Sequence, residues 1–127
     1  MNGTLMVGLG GFLGAIARYR LGASMLHWVG DARLLSGTFV VNVLGCLVAG
    51  LLAGLAGRYH LLGPDARLFL FTGLLGGFTT FSAFGLETMG LLRRGELGVA
   101  ALYAGGSVIL GLAAVWLGLK VFDLIPR

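Results

Sequence analysis

Asn42, Thr38, Thr80, Ser82, Tyr103 and Ser107 are hydrogen-bonding side chains set within runs otherwise apolar enough for hydrocarbon. The densest group is Gly73-Leu74-Leu75-Gly76-Gly77-Phe78-Thr79-Thr80-Phe81-Ser82-Ala83-Phe84, with three glycines, three hydroxyls and three phenyl rings. Backbone exposed to lipid cannot break its hydrogen-bond ladder, because hydrocarbon offers no substitute partner. A weak, polar stretch inside an apolar segment therefore implies backbone turned toward a cavity, an ion or a partner subunit. Transport is the chemistry this favours.

Each side chain supports a sharp reading and a bland one. The Asn42 amide offers two donors and an acceptor; it can serve a permeating anion or bond to a neighbouring helix, and the sequence leaves both open. Thr38, one turn earlier, shares its face. Phe81 and Phe84, three apart, can fill a core or present their positive ring edges to a small anion. Such weak coordination suits conduction, which needs ions to leave as well as bind. Tyr103 and Ser107, four apart, share a stripe with the makings of a polar track. Arg18 can snorkel to the interface or concentrate anions at a vestibule mouth. Glu87 is the one carboxylate near membrane depth; it can be the group a proton-coupled carrier needs or pair with an arginine near the membrane boundary, and the sequence leaves both open. Unwinding over Gly76 to Thr80 would free carbonyls, and those of two chains meeting at a dimer centre could hold Na⁺.

The elements that must carry these groups follow from composition. The chain of 127 residues is 57% hydrophobic and 11% charged, with a mean hydropathy of +0.97. A span needs about 20 apolar residues. Four are predicted, at about 5–26, 35–55, 68–92 and 99–122, giving an all-α membrane protein in a single domain, residues 1–127, with the third helix broken at mid-membrane. The net charge of +4 lies at the ends of apolar runs, which argues for headgroups rather than nucleic acid. The lone Cys46 sits in an apolar run and is read as packing. His27 and His60 are placed in loops.

Four spans put both termini and the middle loop on one side, with Arg58, Arg67, Lys120 and Arg127; Arg18, Arg20, Arg33, Arg93 and Arg94 fall on the other. Orientation follows the Lys/Arg imbalance, and four against five is almost none. The chain is expected to insert both ways and to pair as an antiparallel homodimer. Gly10 with Gly14, Gly50 with Gly54 and Gly73 with Gly77 have the small-xxx-small spacing of close crossings, which we read as favouring an oligomer.

These segments together resemble the Fluc (also called CrcB) fluoride channel family. The matching pieces are Gly10-Gly11 through Gly14-Ala15 to Arg18-Tyr19, then Gly37-Thr38 with Val41-Asn42 and Gly45, and finally Gly73 through Gly76-Gly77-Phe78-Thr79-Thr80-Phe81-Ser82 to Phe84, followed by Glu87. The resemblance implies a fluoride-selective channel in the bacterial inner membrane, exporting F⁻ passively and protecting against its toxicity. It implies a dual-topology antiparallel homodimer in the lipid bilayer, with a central structural Na⁺ on the backbone carbonyls of Gly76 and Thr79. It further implies pathways lined by Asn42, Phe81, Phe84, Tyr103 and Ser107, with Arg18 near the entrance. Two features depart from the pattern: Ala83 replaces a threonine, and Gly111 and Val115 follow Ser107 where further hydroxyls can stand.

A small proton-coupled cation or multidrug exporter of the four-helix dual-topology type is the alternative. Such proteins resemble the chain in length but usually depend on a first-helix glutamate, and no acidic residue precedes Asp31. A purely structural assembly protein would explain the glycines but not Asn42. An enzyme is not expected: no nucleophile, metal cluster or phosphate loop accompanies the histidines, and Gly8-Leu9-Gly10-Gly11 lacks a preceding strand.

Overall fold

Short connections and long apolar runs leave helices as the only way to satisfy the backbone internally. The computed structural model describes residues 2–29 and 34–126. Asp31, Arg33 and Arg127, which bear on the charge distribution above, lie outside them. The described residues form α1 (Gly3–Val29), α2 (Gly37–Tyr59), a short α3 (Pro64–Arg67), a π-helix (Leu68–Leu75), α4 (Gly76–Phe78), α5 (Phe81–Arg93) and α6 (Leu97–Asp123), with no strand among them.

Helix ends follow local chemistry. Ser36 caps α2, accepting the Phe39 N–H at 3.1 Å, as a serine at that position should. At the far end His60 closes α2 in the left-handed region, φ 52°. After α5 the chain turns at Gly95, φ 76°; Glu96 N–H reaches the Leu91 carbonyl and Gly95 N–H the Leu92 carbonyl. That pair of bonds favours glycine at the turn. His27 does not lie in a loop as expected, because α1 continues through it to Val29.

Among the described residues, three helical stretches are long and apolar enough to cross a membrane: Gly37–Tyr59, Pro64–Arg93 and Leu97–Asp123. The fourth expected span, α1, falls short of that measure. Helix α1 has the length, 27 residues, but its glycines together with Arg18 and Arg20 dilute its apolar character. The helices also overrun the predicted limits by a few residues at most ends, since caps rather than hydropathy set where they stop.

Side-chain-free contacts dominate the packing. A Cβ on Gly10 would strike the Phe69 carbonyl, one on Gly14 the Leu74 carbonyl, and one on Gly77 the Gly11 carbonyl, so α1 meets the π-helix and α4 backbone to backbone. Gly50 likewise abuts Val115, and Gly118 abuts Leu47 and Leu51, joining α2 to α6. These glycines pack within one chain, so their spacing is not evidence for an oligomer. A small cluster of Leu91, Ala100 and Tyr103, with Phe39, Phe84 and Val99 against it, ties α5 to α2 and α6. Phe12, Ile109, Leu112 and Trp116 lie exposed on the outside, as a lipid-facing surface requires.

The third segment is not a uniform α-helix. Gly76 to Phe78 stay helical, and the extended residues are only Thr79 (φ −86°, ψ 157°) and Thr80 (φ −149°, ψ 116°). The predicted unwinding from Gly76 onward is thus too wide at its start, because Gly77 is held tightly against Gly11 of α1.

Candidate functional site

Thr79 and Thr80 sit opposite Asn42 on α2. Asn42 Nδ2–H donates to the Thr80 carbonyl at 2.9 Å, and Thr80 N–H donates to Asn42 Oδ1 at 2.8 Å. The amide therefore replaces a backbone strand partner for the extended residue. The interhelical reading of Asn42 holds, while its second N–H is left for a further acceptor. Thr80 Oγ1 accepts from Ala83 N–H at 3.2 Å and caps α5; Ser82 Oγ lies 3.2 Å from the same hydroxyl. Thr79 is drawn down onto the preceding turn, its N–H and its hydroxyl both donating to the Leu75 carbonyl at 2.9 Å. Its methyl occupies the space beside Gly45, where a side chain could not fit.

A cavity of about 270 Å³ opens beside this junction, lined by Asn42, Cys46, Thr79, Thr80, Phe81, Phe84, Ser107 and Val108. It brings five of the predicted pathway residues together with Thr79. Phe81 is 84% exposed, so it is no core residue of this chain; its ring tilts on Phe84 at 5.5 Å between centroids. Ser107 Oγ is buried with no hydrogen-bond partner among the described residues. Cys46 packs against Gly111 and also lines the wall, one turn after Asn42.

A second cavity, about 330 Å³, includes Arg18, Tyr19, Gly37, Thr38, Thr80 and Ala83 in its lining. Thr80 thus borders both. Arg18 is half-buried, and its Nε is buried without a hydrogen-bond partner among the described residues. A third cavity of about 420 Å³ holds Ser36, Glu87, Arg94 and Tyr103 among its walls. There Glu87 accepts from Thr38 Oγ1 at 2.7 Å, from Ser36 Oγ at 3.1 Å and from the Tyr103 hydroxyl. Its hydrogen-bond partners among the described residues are hydroxyls. Ser36 was missed altogether, though a serine just ahead of an apolar helical run is a capping signal.

Tyr103 and Ser107 do share one face of α6, but they serve different cavities, with the Phe84 ring stacked on Tyr103 and reaching the Ser107 cavity as well. Beyond Ser107 no hydroxyl track continues: Gly111 faces Cys46 Sγ and Val115 is pressed on Gly50. A larger cavity of about 890 Å³ lies around Arg58, His60 and Asp123 and includes none of the predicted residues. Size does not mark the site here.

The family model for CrcB-like protein, Camphor Resistance (CrcB), matches residues 5–119. The chain belongs to that family. It is 50% identical over 124 residues to the fluoride-specific ion channel FluC of Methylobacillus flagellatus, covering 98% of this chain and 97% of the relative. It is 46% identical over 125 residues to the protein of the same name from Nitratidesulfovibrio vulgaris, covering 98% and 100%. A third relative so named, from Paracoccus denitrificans, is 51% identical over 117 residues, covering 92% and 91%. The match to the CrcB-like family runs from α1 into α6, and every residue lining the 270, 330 and 420 Å³ cavities lies within it.

Proposed function

We propose that this protein is a fluoride-selective ion channel and not an enzyme, passing F⁻ out of the cytoplasm by electrodiffusion. The observation that carries this is the 270 Å³ cavity, which sets Asn42, Thr80 and Ser107 beside two phenyl rings in a chain whose relatives are named fluoride-specific channels. A small anion there meets the spare Asn42 N–H, hydroxyls and ring edges, with no fixed cation to trap it. A larger halide keeps its charge farther from these donors and gains less in exchange for its water. Arg18, with its buried unpaired Nε, raises the local anion concentration at the mouth of the second cavity.

The protein is read as multi-pass in the inner membrane, with α1 as a fourth span packed by its glycines. In the stretch Pro64–Arg93 of 30 residues, fifteen (64–78) precede Thr79 and thirteen (81–93) follow Thr80, which favours a break near the bilayer centre. An antiparallel homodimer is supported by the near-even charge count and by Phe81, whose exposed ring borders an open cavity that a second copy would close. The sodium site fits the residues present. Thr80 N–H, the helical partner of the Gly76 carbonyl, is spent on Asn42, and Ala83 N–H, the helical partner of the Thr79 carbonyl, is spent on Thr80 Oγ1. Two hard oxygen acceptors are thereby released from the ladder, as a monovalent cation prefers. A bound Na⁺ would supply charge compensation for carbonyls brought together at the dimer axis.

Fluoride efflux from proteoliposomes, followed with a fluoride electrode and with chloride as the comparison, tests the proposal. Rapid fluoride release with little chloride release, and no need for a proton gradient, is expected. Release that depends on a proton gradient would instead identify a coupled exporter.

A further inference from the structure

Two ladder donors in the third segment are diverted by two side-chain acceptors, and the carbonyls left over are those of Gly76 and Thr79. In an unbroken helix Thr80 N–H would close on Gly76 and Ala83 N–H on Thr79. Here Asn42 Oδ1 takes the first at 2.8 Å and Thr80 Oγ1 takes the second at 3.2 Å. Asn42 also holds the Thr80 carbonyl through its Nδ2–H at 2.9 Å, so both polar groups of that peptide are fixed from α2. The Thr79 N–H and hydroxyl are both committed to the Leu75 carbonyl, so neither can turn back to cover Gly76. Gly76 is exposed and Thr79 half-buried in the single chain, so at membrane depth, where hydrocarbon offers no donor, the freed oxygens need another partner.

We infer that Asn42 and Thr80 are positioning residues for the cation site: their side chains, which need not touch the ion, keep the Gly76 and Thr79 carbonyls available to it. This rests on the sodium reading given above. The dependence runs both ways, because any ion that binds the opened segment better than a closed one must stabilise the Asn42–Thr80 pair. The amide in α2 and the ion on the third segment are then thermodynamically coupled, and loss of either acceptor weakens cation binding even though every ligand atom is still present.

The full-length protein in detergent, without fluoride, provides the test. Its thermal midpoint is titrated with sodium chloride, with N-methylglucamine chloride holding ionic strength constant and potassium chloride as a comparison. Sodium should raise the midpoint of the unaltered protein saturably. Asn42→Leu, isosteric but unable to accept, and Thr80→Val, which lacks the hydroxyl, should each need about tenfold more sodium for the same rise, the equivalent of one charge-to-carbonyl interaction removed. Thr80→Ser retains the acceptor and should respond at the original concentration, which a general packing defect would not allow. If Asn42→Leu does not fold, the Thr80→Val and Thr80→Ser pair decides alone. Unchanged sodium dependence in Thr80→Val, or in a folded Asn42→Leu, overturns the positioning role and leaves the sodium site standing. No sodium response in the unaltered protein overturns the sodium reading itself, and this inference with it.

Discussion

The Phe84 ring stacks on the Tyr103 ring with 5.5 Å between centroids and 28° between planes, while Phe81 tilts onto Phe84 at the same separation. Three rings thus form a continuous ramp from an exposed position into the buried cluster of α5 and α6. The middle ring is the one whose orientation is fixed by a neighbour on another helix.

Replacing either phenylalanine with isoleucine keeps apolar bulk but removes the ring edge. Fluoride efflux is expected to fall about tenfold or more in Phe81→Ile and Phe84→Ile, because a single aromatic interaction is worth roughly that factor where it acts on the rate-limiting passage. Efflux from proteoliposomes checks this, with gel filtration confirming unchanged assembly. Undiminished efflux in both variants would remove the rings from the pathway.

Glu87 gathers three hydroxyls from Ser36, Thr38 and Tyr103. Glu87→Ala removes the acceptor these hydroxyls share, leaving Ser36 the Tyr103 hydroxyl at 3.4 Å, and should lower stability by about 2–4 kcal/mol, since part-buried donors left without an acceptor are costly. Glu87→Gln keeps one acceptor oxygen and should lose less. Thermal unfolding in detergent ranks the two, and equal losses would show that the hydroxyl cluster contributes little.

The backbone contact between α1 and the third segment makes glycine identity testable. Gly14→Val would drive a side chain into the Leu74 carbonyl, whereas nothing lies within 4 Å of a Cβ on Gly8. The first change should cost about 1–3 kcal/mol or more by forcing the helices apart, and Gly8→Ala should be tolerated. Expression level and thermal midpoint report both.

Arg58 donates to the carbonyls of Phe122, Ile125 and Pro126, fastening the end of α6 to the end of α2. Arg58→Met keeps the stem and loses the fork, and should destabilise the protein by about 1.5–3 kcal/mol. Arg58→Lys should recover only part of that, because one ammonium cannot reproduce a planar fork. Proteolysis of the C-terminal residues, faster in Arg58→Met, gives a second readout.

Hydropathy made the long helices legible, and turn residues made their connections so, because both are local properties. The glycine spacing was legible too, but its meaning was not: four-residue steps show that a close crossing exists, and only the fold shows that Gly10 meets Gly73, Gly11 meets Gly77 and Gly14 meets Leu74 of the same chain. Asn42 could be recognised as a buried amide, yet its pairing with Thr80 depends on two residues 38 positions apart and leaves no local trace. The π-helix is invisible for the same reason, since Leu68 to Leu75 read as ordinary apolar helix. Which groups Glu87 meets was not legible, because its hydroxyl donors among the described residues, Ser36, Thr38 and Tyr103, come from distant parts of the chain.

Thr80 stands in the wall of two chambers at once. Trimming it to widen one would enlarge its neighbour in the same stroke. Re-engineering the protein for a bulkier anion on one side only must therefore work through positions owned by a single chamber, such as Cys46 and Val108 for the first or Ala23 and Ala83 for the second.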